Sequence, residues 1–193
     1  MDSSRLLQKN SNLDNYYFFP KVLSDEEIEA IMEIARDAPE VAGKIGYGVN
    51  DVTYRNSVIK WLHHNEKTKK IYERLNDLAV CANQRTWKFN ITNVFESLQF
   101  TEYSADVQGH YDWHMDVGNN NSTRKLSMSI QLTDPAEYEG GNLEFMKGRN
   151  PNIAPREKGT VIFFPSYLLH RVTPVTRGKR NSLVLWYHGP TFS

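Results

Sequence analysis

One cysteine, Cys81, stands among 193 residues. A lone thiol excludes an intrachain disulfide and any cysteine-based zinc or iron–sulfur centre. Charge of one sign is missing as well, because 23 basic side chains meet 23 acidic ones. A balanced chain is not built to hold nucleic acid or an anionic membrane by bulk electrostatics, so neither partner is expected. No apolar run approaches the roughly 18–20 residues of a membrane span. The N-terminal MDSSRLLQKNSNLDNYYFF lacks the positive stretch and apolar core of a secretion signal. Internal repeats and low-complexity tracts are absent. The expectation is a soluble, intracellular, cytoplasmic protein. The composition, 39% hydrophobic and 24% charged, is that of a globular chain, and the length suits one domain over 1–193.

Residues 1–15 are polar and read as a flexible arm. The aromatic run 16–20 reads as an entry strand. Ser24 followed by Glu27 forms a capping box, and Ile28, Ile31, Met32, Ile34 and Ala35 recur at helical spacing, which predicts a helix over 25–37. Pro39, Gly43, Gly46 and Gly48 mark 39–55 as a mobile loop or irregular hairpin. Val58, Ile59 and Trp61 suggest a short strand. Asn65 can cap a helix over 66–85, with Ile71, Leu75, Leu78, Ala79 and Ala82 facing inward.

From residue 90 the pattern turns to β. The runs 91–103, 125–132, 142–145, 160–165, 170–175 and 180–188 are rich in β-branched, aliphatic or aromatic residues, and glycine-containing turns separate most of them. Closely spaced strands without helices between them predict a sandwich or barrel. The expected class is α+β, mainly β: supporting helices and a loop over 16–89, then a β core over 90–193.

Six histidines are present, and two have chemical company. His114 and Asp116 stand two apart, a spacing that in a strand puts both on one face. His170 opens a later strand-like run and supplies a third donor. Two histidines and a carboxylate leave three coordination positions open, the facial arrangement of non-haem Fe(II) oxygenases. The His-x-Asp spacing alone is common, and a surface strand is the plainer reading of it by itself. Ten residues after His170 comes Arg180. A buried arginine needs an anionic partner, and a dicarboxylate co-substrate can supply one through a two-point contact. Ser182, two residues on, points the same way. A surface position after the Thr176-Arg177-Gly178 turn is the plainer reading of Arg180 by itself.

Together these pieces match a known pattern. Tyr103, then Gly109-His110-Tyr111-Asp112-Trp113-His114-Met115-Asp116, Arg124-Lys125-Leu126-Ser127-Met128, Tyr138-Glu139-Gly140-Gly141-Asn142-Leu143, Gly159-Thr160-Val161-Ile162-Phe163-Phe164-Pro165, His170, Arg180 and Trp186-Tyr187-His188 occur in order. The stretch, about half the chain, resembles the 2-oxoglutarate/Fe(II) dioxygenases of the prolyl 4-hydroxylase type. The resemblance implies a double-stranded β-helix, or jelly roll, with N-terminal supporting helices. It implies Fe(II) held by His114, Asp116 and His170, with O2 as the second co-substrate. It also implies 2-oxoglutarate with its far carboxylate on Arg180 and Tyr103, and Ser182 as a further contact. Prolyl hydroxylases usually carry lysine where this chain has Arg180, while arginine is common in related oxygenases. Tyr111, Arg124 and His188 match positions that face the substrate in that family. Core packing, a turn cap and a satisfied surface histidine are the structural readings of the same three residues.

The function this resemblance implies is hydroxylation of proline in a peptide or protein, as in procollagen-proline 4-dioxygenases, with ascorbate as a family accessory. The same chemistry on a free amino acid, another peptide residue or a nucleobase is an alternative. A non-catalytic jelly-roll binding module is another, and a structural zinc site a third, although such sites take four protein ligands. The loop 39–55 is expected to cover bound substrate. Arg55 and Trp61 are candidates to face the groove, with surface and core as their plainer readings.

Overall fold

A computed structural model describes residues 16–43, 51–92, 94, 96–118, 120–146 and 149–192. The arm 1–15 and residues 44–50 of the expected lid lie outside the described residues.

Helix α1 (Asp25–Asp37) begins where the capping box predicts. The Glu27 amide donates to Ser24 Oγ at 3.2 Å, and the Ser24 amide donates to Glu27 Oε2 at 2.8 Å. Such a cap is worth about 1 kcal/mol. Ile28, Ile31 and Ala35 form its buried face. Helix α2 (Lys69–Arg85) starts later than the sequence suggests. Asn65 does cap, but it closes the turn ahead of the helix, with Oδ1 accepting from the amides of Lys67 and Thr68. Among the described residues no helix is long and apolar enough to cross a membrane.

The β structure forms two main sheets. The larger runs β1 (Tyr17–Phe19), β11 (Val161–Pro165), β7 (Arg124–Gln131), β14 (Lys179–His188), β5 (Leu98–Ser104), β4 (Val58–Leu62) and β2 (Val41–Ala42). The smaller runs β10 (Asn152–Ile153), β9 (Leu143–Phe145), β12 (His170–Val172), β6 (His110–His114) and β3 (Arg55–Asn56). A ribbon of β8 (Glu139–Gly140) and β13 (Val175–Arg177) completes a jelly roll. All the pairings are antiparallel.

Two expectations need correction. The N-terminal part does more than support the core. β1, β2 and β4 extend the larger sheet, and β3 extends the smaller one. The first strand of the C-terminal part starts at Leu98 rather than at residue 91; Asn83, at the end of α2, instead holds the preceding chain through both the amide and carbonyl of Phe89.

The larger sheet has two unlike faces. Leu126, Met128 and Ile130 of β7 and Leu183, Leu185 and Tyr187 of β14 pack in one core with α1 and α2. Alternate residues point the other way. Ser127, Ser129 and Gln131 on β7, Arg180 and Ser182 on β14, and Gln99 and Thr101 on β5 are all buried. A second, smaller core of Tyr16, Tyr103, Leu143, Phe145, Ile162, Phe164, Val172 and Val175 draws on both sheets. The space inside the roll is thus polar on one wall and apolar on the other.

Candidate metal and co-substrate site

His114 ends β6 and His170 opens β12, and the two residues are directly paired across the strands. This register brings their rings to a centroid distance of 4.2 Å. Each ring commits Nδ1 to a nearby backbone carbonyl, Asp112 at 2.7 Å for His114 and Leu168 at 2.8 Å for His170. With Nδ1 donating there, Nε2 keeps its lone pair, the second-shell arrangement of metal-binding histidines. Those Nε2 atoms lie 3.8 Å and 3.6 Å from the Asp116 carboxylate oxygens. The three donor groups sit within 4.8 Å of one another. Metal–ligand bonds of about 2 Å reach one centre from donors so spaced.

Asp116 is not in the strand, contrary to the simple i, i+2 argument. It lies two residues past the end of β6. Its amide donates to the Ser166 carbonyl at 2.9 Å, and Oδ2 accepts from Ser127 Oγ at 2.7 Å. Burial alone would raise the Asp116 carboxyl. His170, His114 and Arg124 with the Ser127 hydroxyl outweigh it and hold the group below the ordinary carboxylate value. Burial, then the neighbouring His170, push the His114 imidazole down to about 3. A neutral imidazole beside an ionised carboxylate is the state that binds a divalent cation.

The trio opens into a cavity of about 360 Å³. Tyr103, Tyr111, Arg124, Arg180 and Ser182 all line it with the three ligand candidates. Arg180 pairs with Tyr103 across β14 and β5, and it is 1% exposed. Its Nη2 donates to Gln131 Oε1 at 3.0 Å, while Nε and Nη1 are buried with no protein partner. A buried guanidinium with two idle donors is costly unless a ligand completes it. The arrangement fits an anionic oxygen pair such as a carboxylate. Gly141 makes room for it: at φ +59, an added Cβ would stand 2.9 Å from Val175 Cγ2 and 3.0 Å from Arg180 Cδ. Burial raises the Tyr103 phenol, against the pull of Arg55 and Arg180.

Tyr111 stacks on His114 at 3.5 Å between ring centroids, and burial pushes its phenol up to about 12. Arg55 lies over the other partner of this stack, 4.4 Å from the Tyr111 ring centroid. Arg55 and Trp61 both line the cavity, against the plainer surface and core readings. His188 is not part of the lining. Its Nδ1 meets Thr123 Oγ1 and its Nε2 meets Glu96 Oε1, both at 3.0 Å. Sequence reasoning missed Gln131, Ser127, Glu96 and the spacing role of Gly141. The alternation Leu-Ser-Met-Ser-Ile-Gln over 126–131 carried a signal for the first two, although a polar face on a strand is by default a wet one.

A jelly roll with two histidines and one aspartate converging inside it, beside a buried arginine with two unpartnered nitrogens, fits the class of non-haem metal oxygenases. Comparison with known proteins agrees. Residues 98–188 match the model of the 2OG-Fe(II) oxygenase superfamily. The chain is 28% identical over 174 residues to a PKHD-type hydroxylase of Crocosphaera subtropica, covering 86% of this chain and 75% of that protein. Its fold resembles a Pseudomonas putida prolyl-4-hydroxylase, with TM-score 0.75, 18% identity and coverage of 91% and 94% of the two chains. It also resembles a Trichoplax adhaerens prolyl hydroxylase in complex with a hypoxia inducible factor peptide fragment, with TM-score 0.77, 16% identity and coverage of 96% and 88%. Over 98–188, a little under half of its length, the chain is thus similar to the 2OG-Fe(II) oxygenase superfamily, and along most of its length to PKHD-type hydroxylases. Fe(II), 2-oxoglutarate and O2 are the cofactor set that this likeness implies, and His114, Asp116 and His170 form a possible iron site.

Proposed function

We propose that this enzyme hydroxylates a proline residue in a polypeptide, with His114, Asp116 and His170 as the metal ligands and Arg180 as the anchor of 2-oxoglutarate. The observation that carries the reading is one cavity holding both the donor trio and the two idle Arg180 nitrogens. A molecule with a chelating head and a carboxylate tail is the ligand such a cavity accepts. When bound, Fe(II) and 2-oxoglutarate supply O2 activation, with decarboxylation to succinate and insertion of one oxygen atom into a C–H bond.

The protein's part is positional. Gln131 fixes Arg180, and Arg180, with Tyr103 and Ser182 beside it, orients the co-substrate tail. The carbonyls of Asp112 and Leu168 hold the two imidazoles in the donor tautomer, and Ser127 steers the carboxylate. Leu143, Phe164, Val172 and Val184 line the cavity and limit water. Tyr111, still protonated at neutral pH, offers a flat aromatic wall beside His114, a surface against which a pyrrolidine ring packs. The peptide form of the substrate draws support from the likeness to a prolyl hydroxylase that binds a peptide fragment.

The test is mass spectrometry of a proline-containing peptide pool incubated with enzyme, Fe(II), 2-oxoglutarate and air. A gain of one oxygen on proline, absent with Asp116→Ala, is expected. Steady succinate release without modified proline would discard proline peptides and keep the oxygenase.

Gly141→Ala gives a narrower test. The added methyl must displace Arg180 or Val175, so the KM for 2-oxoglutarate is expected to rise by about 10- to 100-fold, the cost of displacing a positioning group by about 1 Å. Fe(II) affinity, which depends on the other end of the site, should hold. Succinate release against co-substrate concentration reads the first, and an anaerobic metal titration the second.

A further inference from the structure

We infer that Glu96 is a positioning residue for the metal centre, acting through Arg124 on the backbone of Asp116. The inference rests on the metal-ligand reading above and adds a residue to it.

His114 and His170 are held by strand pairing, and Asp116 is not, because β6 stops at His114. What fixes a carboxylate beyond the end of a ladder must come from side chains and loops. Ser166 takes the Asp116 amide and Ser127 takes Oδ2. The Asp116 carbonyl accepts from Arg124 Nη1 at 3.2 Å. Arg124 is itself immobilised. Its Nε donates to Glu96 Oε1 at 2.6 Å, its Nη2 also pairs with Glu96, and its guanidinium lies 3.8 Å from the Trp186 ring centroid. Glu96 Oε1 also meets His188 Nε2, whose ring is held at Nδ1 by Thr123.

One carboxylate therefore ties the start of β7 and the end of β14 to the segment before β5. A two-point arginine–carboxylate pair sets direction as well as distance. The ring stack on Trp186 removes the remaining rotation. Arg124 and His188, which the sequence offers as substrate contacts, spend these bonds on Glu96, and Arg124 spends another on the Asp116 carbonyl. Outer partners of metal ligands typically change affinity by about 10- to 100-fold when removed.

The experiment measures Fe(II) affinity of the apo chain anaerobically, by competition with a chromophoric chelator, with no peptide present. Glu96→Gln keeps the shape and removes the charge, and Arg124→Lys keeps the charge and removes the planar fork. Each is expected to weaken Fe(II) binding by about 10-fold or more, the lower end of the outer-partner range. The double variant should be little worse than either single one, since both break the same link. If Glu96→Gln lowers the apo unfolding midpoint too far for the titration, Glu96→Asp, which keeps the charge on a shorter arm, takes its place with the same direction expected. Wild-type Fe(II) affinity in these variants, with only the peptide KM raised, would overturn the inference and return Arg124 to the substrate. Failure of the wild-type chain to bind Fe(II) would instead remove the metal centre, and this role of Glu96 with it.

Discussion

Asp116→Ala is expected to abolish both product oxygenation and succinate release. The carboxylate is the one acidic member of the trio, and its oxygens stand 3.8 Å and 3.6 Å from Nε2 of His114 and His170. Without it, Fe(II) faces two uncharged donors on adjacent strands and a gap where the third donor stood. Removing an outer partner of a metal ligand costs about 10- to 100-fold, and removing the ligand itself should cost more than that. The variant should still fold, because Asp116 lies outside the strand ladder and both apolar cores are built from other residues. An unfolding midpoint near that of the wild-type apo chain, with turnover below detection, is the expected pair of results. Succinate release in the variant at more than about a tenth of the wild-type rate, the smallest loss expected of an outer partner, would mean that Asp116 is not a ligand.

Arg180→Ala should act on the other end of the same molecule. Truncating one partner of a buried charge pair costs about 2–5 kcal/mol, or roughly 30-fold to several-thousand-fold in the KM for 2-oxoglutarate. In the apo chain two effects of the substitution should nearly cancel. Arg180 is 1% exposed and leaves Nε and Nη1 without protein partners, so removing it relieves a desolvation cost at the expense of a cavity. The apo midpoint should change little. 2-Oxoglutarate, which binds only the folded wild-type site, should raise the wild-type midpoint in the presence of an inert divalent metal and leave the variant nearly unmoved. Thermal melts with and without 2-oxoglutarate read both effects.

Much of this site is legible in the sequence because its parts are local. The capping box of α1 sits within four residues. His114 and Asp116 sit within three, and Arg180 and Ser182 likewise. What the sequence does not carry is which sheet face stays dry. Ser127, Ser129 and Gln131 alternate with apolar residues, the pattern of a strand with one wet face. Only the packing of α1 and α2 on the apolar face turns the polar one inward. Long-range pairings are hidden for the same reason. Arg55 and Trp61 read as surface and core because nothing local says that β3 joins the smaller sheet and β4 the larger, on either side of the cavity. His188 reads from the sequence as a substrate contact, and its pairing with Glu96, which lies 92 residues away in the chain, is announced by nothing local. The spacing rule that points to Asp116 is one its own backbone does not obey: Asp116 stands beside His114 through bonds to Ser127 and Ser166, not through the pleat.

The most direct test of the account is an anaerobic absorption spectrum of the apo protein as Fe(II) and then 2-oxoglutarate are added. The account predicts a visible charge-transfer band that saturates at one 2-oxoglutarate per chain. The band should be missing in Asp116→Ala and should require far more 2-oxoglutarate in Arg180→Ala. No band in the wild-type chain, or a band indifferent to both substitutions, would contradict the placement of metal and co-substrate between these residues.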